Sequence, residues 1–133
     1  MIDVEPMVFT RVSDKVHSKF PKVSVSGEEV RSPSELPFAS VVETDNYTYT
    51  NTIDSGSNEN HAVVVFEVDC GSNKTSKKKS ECKAIMSCID EEMLAIGFTR
   101  TMLIPVRDED TTVYRLKARY TAVVSDIFEF YRR

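Results

Sequence analysis

Two adjoining segments carry the strongest structural signal in the chain: HAVVVFEVD at His61–Asp69 and SKKKSECKAIMSCIDEEMLAI at 76–96. The first is dense in β-branched residues and predicts a strand. In the second, apolar residues recur at the spacing of one helix face, and Gly97 follows as a typical helix stop. The apolar positions are Cys82, Ile85, Met86, Ile89, Met93 and Ile96. The two segments therefore predict a buried strand followed by an amphipathic helix.

The flanking segments add a second helix and four more strands. Valines at every fourth position from Val4 to Val16 stay on one face of a helix, which we expect to run from about Pro6 to Lys19 because Pro21 stops it. Strands are predicted at 22–26, 38–43, 98–106 and 113–125. The sequence thus predicts one α+β domain, residues 1–133, with a mostly antiparallel sheet and two helices packed on one face, in the order α-β-β-β-α-β-β.

A polar arm interrupts this pattern between the second and third strands. From Thr44 to Asn60 the chain is rich in Thr, Asn, Ser and Asp, and it offers only Tyr47, Tyr49 and Ile53 for burial. A loop or hairpin of this length in a compact domain is either functional or disordered. We expect a flexible arm, with Tyr47 and Tyr49 on one side where the segment is extended.

Composition excludes several classes of protein. The chain has 133 residues with 17 basic and 21 acidic side chains, a net charge of −4. An acidic chain is a poor candidate for wrapping nucleic acid, which normally requires a basic face. Its apolar runs are far shorter than the roughly 20 residues of a membrane helix. The first residues do not show a basic segment followed by an apolar one, so we expect no secretory signal.

The cysteines and histidines predict neither a metal site nor a catalytic site. Cys70, Cys82 and Cys88 are odd in number, and Cys82 and Cys88 point in different directions around the predicted helix, so we expect all three to be structural thiols. His17 and His61 lie outside any HExxH or CxxC context, and no phosphate-binding glycine loop is present. We therefore expect no cofactor and no enzymatic activity.

Charges at the ends of the second helix oppose its dipole. Lys77, Lys78 and Lys79 open the helix, and three acidic residues at 90–92 lie near its end. A solvated face explains this pattern, and so does a set of contacts with other chains, where complementary charge sets the choice of partner.

Two further charged groups fit the second explanation. Arg115, Lys117 and Arg119 form a basic row on the last predicted strand, and Asp108, Glu109 and Asp110 form an acidic turn before it. The acidic turn could complement the basic row on a neighbouring subunit.

The segment from Asn60 to the C-terminus resembles the tail-terminator, or tail-completion, proteins of long-tailed phages, particularly those infecting Gram-positive bacteria. The resemblance covers a little over half the chain, and its specificity comes from the combined order of motifs. These are the Val-rich strand, Ser72-Asn73-Lys74, the lysine-rich start of the helix, SECKAIMSCID, Leu94-Ala95-Ile96-Gly97-Phe98-Thr99-Arg100, Pro105, Tyr114-Arg115, Ala118-Arg119-Tyr120, Ala122-Val123-Val124-Ser125 and Tyr131-Arg132-Arg133.

The resemblance implies a structural role in the virion. Proteins of this family form a homohexameric ring that caps the tail tube at its head-proximal end, stops tube elongation and presents a surface for head–tail joining. The implied partners are other copies of the chain, the major tail tube protein and the head connector or stopper protein, with DNA passing through the lumen without specific binding. Family members also share a long mobile loop between the second and third strands, which orders on assembly. The implied location is the virion tail, after assembly in the bacterial cytoplasm, without membrane contact.

A closed ring requires two unlike surfaces on each subunit. The candidate interface residues are Tyr47, Tyr49, Ile53, Lys77, Lys78, Lys79, Asp108, Glu109, Asp110, Arg115, Lys117, Arg119, Arg132 and Arg133. Aromatic residues of the C-terminal segment are further candidate anchors, because aromatics dominate interface hot spots. For Phe128 and Phe130, we expect burial in the core instead.

Three alternatives remain open on sequence grounds. The chain could be another head–tail connector or tail-tube-associated structural protein of similar fold. It could be a small hydrolase that uses His61 with Glu67 or Asp69, although no nucleophile motif supports this. It could also bind nucleic acid weakly through the lysines at 77–79.

Overall fold

The computed structural model describes residues 1–29, 35–49, 61–107 and 110–132. Within these ranges the chain forms two helices and six strands. In chain order they are α1 Glu5–Lys19, β1 Ser24–Ser26, β2 Phe38–Thr48, β3 His61–Ser72, α2 Lys78–Ile96, β4 Thr99–Val106, β5 Tyr114–Ser125 and β6 Phe130–Arg132.

The strands form one sheet in the order β1-β2-β3-β5-β4. β1 and β2 are parallel, and the other described pairs are antiparallel. β6 pairs with residues 122–124 of β5, on the same side of β5 that β4 occupies further along. The predicted α+β class is confirmed. The short strand β6 is an addition, because the C-terminal segment carried no strand prediction.

Both helices begin and end close to their predicted limits. α1 has a proline in its first turn and buries Val8, Val12 and Val16, and it ends at Lys19 as expected. α2 ends at Ile96 and is followed by Gly97, whose φ of 128° is a conformation that L side chains rarely adopt. Local sequence signals therefore set the helix limits.

The core lies between the helices and one face of the sheet. Alternate residues of β3 and β5 point into it, including Phe66 and Tyr120, which are fully buried. Phe66 packs edge-on against Phe98, with 5.3 Å between ring centroids. Burying one such apolar side chain contributes on the order of 1.5–3 kcal/mol.

The acidic end of α2 is paired within the subunit. Arg11 Nη2 of α1 lies 2.8 Å from Glu92 Oε1, and Lys19 Nζ lies 3.7 Å from Glu91 Oε2. Asp90 Oδ1 accepts hydrogen bonds from Tyr120 Oη at 2.7 Å and from Arg100 Nη1 at 3.2 Å. Cations of α1 and β4 thus face these carboxylates, so the unfavourable dipole arrangement needs no second chain to explain it.

The polar arm begins later than predicted. β2 continues through a bulge between Glu43 and Asp45 and pairs with β3 as far as Thr48. Tyr49 N then donates to His61 O at 2.9 Å. Cross-strand pairing with the apolar strand β3 overrides the poor strand propensity of this polar segment. The remainder of the predicted arm, residues 50–60, lies outside the described residues.

All three cysteines are buried free thiols. Cys70 Sγ and Cys82 Sγ are 3.4 Å apart between β3 and α2, and their hydrogen bond, together with burial, raises the pKa of Cys70. Cys88, at a different angle around α2, is buried too, and its Sγ lies 3.8 Å from Lys15 O of α1. α2 thus packs on the sheet and on α1, which accounts for burial at both positions.

Glu43 provides a test of the packing between β2 and α1. Burial, with smaller effects of the nearby Glu5 and Asp3 carboxylates, raises the pKa of Glu43, although a hydrogen bond from Asn46 opposes this shift. A raised carboxyl pKa means that the folded state holds the proton more tightly than the unfolded state. As the pH rises from below 4.5, the ordinary pKa of a glutamate, ionisation of Glu43 therefore lowers the free energy of unfolding.

We expect Glu43→Gln to raise the thermal midpoint at neutral pH and to lose this advantage below about pH 4, where the unfolded carboxyl is also protonated. Thermal unfolding followed by circular dichroism at the two pH values measures the difference. Glu28→Gln, at an exposed position, is the control and should follow the wild type at both. A Glu43→Gln variant that is less stable than wild type at neutral pH would contradict this account.

Candidate subunit interface

The face of the sheet opposite the two helices is the first candidate surface. Among the described residues, no helix covers it, because both helices pack on the other face. Its centre consists of charged side chains from the two central strands, β3 and β5. Neighbouring positions in the antiparallel register bring acidic residues of β3 opposite basic residues of β5.

The basic row is paired across this register. Arg119 Nη2 lies 3.0 Å from Glu67 Oε2, and Lys117 Nζ lies 3.6 Å from Glu67 Oε1. The Lys117 and Arg119 side chains remain 32% and 45% exposed, so both reach the surface. The complement of these two residues is thus found within the same subunit, on β3.

Arg115, the third member of the row, lies inside the subunit. Its Nη2 donates to Asp69 Oδ2 at 2.7 Å and its Nε to Asp69 Oδ1 at 3.3 Å, and the two side chains are only 8% and 13% exposed. The guanidinium carbon also lies 5.1 Å from the centroid of the Phe38 ring. Gly71 makes room for this stack, since a Cβ there would lie 2.5 Å from Phe38 Cε1. Arg115 therefore stabilises the subunit, and its charge is already matched.

Asp110, the described residue of the predicted acidic turn, lies near the start of α2. Lys78 Nζ donates to Thr111 O at 3.1 Å. Asp110 Oδ1 accepts from Thr112 Oγ1 at 2.7 Å and from Thr112 N at 2.9 Å, and these hydrogen bonds lower the pKa of Asp110. The structure thus brings Asp110 near Lys78 of its own subunit, whereas Lys117 and Arg119 pair with β3. Asp108 and Glu109 fall outside the described residues.

The remaining predicted contacts are distributed over several surfaces. Lys77 and Lys79 are exposed at the start of α2. Tyr47 is 45% exposed and pairs with Val63 on the face away from the helices, whereas Tyr49 is half-buried. Arg132 lies in β6. Ile53 and Arg133 lie outside the described residues. These predicted residues do not form one patch.

Sequence reasoning missed the exposed apolar side chains of β4. Leu103 and Ile104 point to opposite faces, yet they are 41% and 44% exposed. β4 is the last strand of the described sheet, so one of its edges has no neighbouring strand there. The run Met102-Leu103-Ile104 is apolar on both faces, which is unusual for an edge strand and could have signalled this surface.

The C-terminal segment also differs from expectation. Phe130 is half-buried and packs against Phe98, with 5.5 Å between ring centroids. Phe128 is 47% exposed, so the prediction that both residues enter the core is wrong for Phe128. The tight turn that leads into β6 turns this side chain outward, together with Ile127, which is 73% exposed.

The structure does not bring together the histidine and carboxylate side chains of the hydrolase alternative. His61 and Glu67 lie on the same strand, six residues apart, which corresponds to roughly 20 Å. The Glu67 carboxylate is occupied by Lys117 and Arg119, and the His61 ring lies 5.7 Å from the Tyr131 ring. In the described ranges, no group of three or more His, Cys, Asp or Glu side chains is placed to hold a metal ion.

No protein-family model matches the chain, and no curated protein matches it at a significant level. In the described part of the chain, no helix combines the length and the apolar composition needed to cross a membrane. The described surface exposes aromatic and aliphatic side chains as well as partly exposed charges.

The Arg115–Asp69 pair allows the contribution of a buried ion pair to stability to be compared with that of an exposed ion pair. We expect Arg115→Ala to lower the free energy of unfolding by about 3–5 kcal/mol, because it leaves the Asp69 carboxylate buried without its main counter-charge. Arg119→Ala, on the same strand but exposed, is the matched control and should cost less than about 1 kcal/mol. Urea unfolding of both variants measures these losses. Equal losses would show that the buried pair contributes no more to the free energy of unfolding than the exposed pair does.

Proposed function

We propose that this chain is a structural protein of a phage tail, which assembles with copies of itself into a ring at the head-proximal end of the tail tube. There it would stop tube elongation and provide the surface for head joining. The observation that carries this proposal is the concentration of exposed apolar side chains along one edge of the sheet. The sequence resemblance to tail-terminator proteins then specifies the type of assembly.

Five of the seven large hydrophobic side chains that are exposed among the described residues lie along one edge of the sheet, whereas Met1 and Tyr47 lie elsewhere. Leu103 and Ile104 lie on β4, and Tyr131 lies on β6. β4 and β6 follow each other along the same side of β5, and Ile127 and Phe128 lie in the turn that leads into β6. An edge of a sheet that exposes several apolar side chains is a candidate for contact with another protein. An open apolar edge strand is also prone to unwanted pairing unless a partner covers it.

The charge of the chain suits a conduit for DNA. Each copy carries a net charge of −4. A ring built from acidic copies repels the phosphate backbone over its surface as a whole, so DNA can pass without being held. Lys117 and Arg119, the most accessible members of the basic row, have acidic partners in the same subunit.

Self-association is the primary test of this function. We expect sedimentation velocity to show a concentration-dependent species of fixed mass, enriched by the cognate tail tube protein and weakened by high salt. Electron microscopy of tubes grown with the gold-labelled protein should place the label at the head-proximal end. A label at the baseplate end would favour another tail-tube-associated role. A protein that stays monomeric beside its tube protein would contradict the proposal.

A pair of variants tests the exposed edge directly. We expect Ile104→Asp to raise the concentration needed for half-assembly by about tenfold or more, which corresponds to a loss of about 1.4 kcal/mol of association energy. Thr101→Asp is the control, because Thr101 is a polar, exposed residue of the same strand. An aspartate at this position adds the same charge as Ile104→Asp but removes no apolar side chain. Equal effects of the two variants would assign the loss to charge alone.

A further inference from the structure

The turn at Ser125–Glu129, which we name the 125–129 turn, is ordered by its own hydrogen bonds. Phe128 N donates to Ser125 O at 3.0 Å, and Ser125 N donates to Glu129 O at 2.9 Å. Ser125 Oγ accepts from Ile127 N at 3.3 Å and from Glu129 N at 3.0 Å. The turn is therefore held in one shape before any partner binds.

This fixed shape presents apolar side chains to solvent. Ile127 is 73% and Phe128 47% exposed. Phe128 also has a φ of 63°, a left-handed conformation that is uncommon for a bulky residue. A rigid turn that carries an unfavourable backbone conformation and exposes two large apolar side chains has the properties of a preformed binding element.

An apolar groove lies where α1 leads into β1. Its volume is about 260 Å³. Its apolar lining includes Phe20, Pro21, Val23, Pro37 and Ile85. Lys19, Lys22 and Glu81 are its charged lining residues, and we name this cavity the Pro21 groove.

The 125–129 turn and the Pro21 groove occupy opposite corners of the sheet. His61 pairs with Ser125 at one end of β3, whereas Gly71, at the other end, pairs with Phe38, next to Pro37 of the groove. This separates the two features by roughly 33 Å along the strands and by roughly 19 Å across them, from β1 to β6. A subunit cannot place its own turn in its own groove, so any contact between them joins two copies.

The two corners also carry complementary charge. Asp126 and Glu129 flank the apolar side chains of the turn. Lys22, at the rim of the groove, has no salt bridge with a described residue. Lys19 pairs with the exposed Glu91 side chain at a distance of 3.7 Å. Glu81, the acidic residue of the groove, is itself paired with Lys74 at 3.8 Å. Lys22 is therefore the charge of the groove that can attract the acidic flank of a second copy.

We propose that the 125–129 turn of one copy inserts into the Pro21 groove of the next, with Ile127 and Phe128 as the anchors and Asp126 opposite Lys22. The contact joins unlike surfaces, so each copy still has one free turn and one free groove. Repetition then closes a ring when the rotation between neighbours returns to its start. This inference rests on the proposed ring function and identifies the contact that builds the ring.

A second groove, of about 390 Å³, lies between α2 and β4 and is lined by Met86, Leu103 and Leu116. It borders the same edge of the sheet as the 125–129 turn. A contact between these two features would bring the same edge of both copies together, as in a two-fold dimer rather than a ring. The experiment must therefore distinguish the two grooves.

Cysteine pairs at the two surfaces can trap the contact. Ile127→Cys is mixed with Lys22→Cys in one sample and with Leu103→Cys in another, each near a different groove, and both are oxidised with diamide. The three native cysteines are buried, and the wild type under the same oxidant controls for them. We expect a reducible covalent dimer only in the Ile127→Cys and Lys22→Cys mixture. The variant carrying both of these substitutions in one chain should give a covalent ladder that ends at the ring size.

The outcomes separate this contact from the proposed function. A wild type that assembles, with crosslinking absent or confined to the Leu103→Cys mixture, overturns the docking proposal and leaves the ring function standing. A wild type that stays monomeric beside its tube protein overturns both.

Charge reversal gives an independent readout of the same contact. Lys22→Asp and Asp126→Lys should each raise the concentration for half-assembly several-fold, and the combined variant should return it toward the wild-type value. Absence of this rescue, with both single variants folded and impaired, would place the two residues in different contacts.

Discussion

The structure depends on the antiparallel pairing of β3 with β5. The two strands remain in unbroken register over their full length, from His61 opposite Ser125 to Ser72 opposite Tyr114. A shift of this register by one residue would exchange the two faces of the sheet, because side chains alternate along a strand. The core would then receive charged residues, and the helices would have no apolar surface to cover.

This register also sets the electrostatics of the outer face. It places Glu67 next to Arg119 and Lys117, and it brings Asp69 within reach of Arg115. On the inner face the same strand carries Tyr120, whose hydroxyl donates to Asp90 of α2. Burial raises the pKa of Tyr120, so the phenol remains a donor. The sheet is therefore bonded to α2 on its inner face. On its outer face, many of the charges that suggested a partner in the sequence are paired within the subunit.

Several apolar and charged side chains that have no such partner among the described residues lie at the edges of the sheet. Apolar side chains are exposed on β4 and in the turn before β6. Lys22, which has no salt bridge with a described residue, lies at the diagonal corner. On our proposals, these margins supply the contacts between copies, whereas the centre of the outer face keeps the subunit stable. This division is physically reasonable, because paired charges have already lost much of their hydration and gain little from a new partner. Exposed apolar groups gain the most from contact with a second surface.

The sequence alone determined the helices, most strands and the α+β class, because these follow from local periodicity and from stop signals such as Pro21 and Gly97. It did not predict the extension of β2 to Thr48, nor the outward position of Phe128. The first depends on residues further along the chain, because the apolar strand β3 aligns the polar end of β2. The second depends on a local turn held by hydrogen bonds to Ser125, which the apolar pattern of the sequence does not report. The partners of the basic row were also beyond the sequence, since Glu67 and Asp69 lie about fifty residues before them. Local patterns report which residues form an element, whereas only the tertiary structure decides which of their charges and apolar groups are left for another chain.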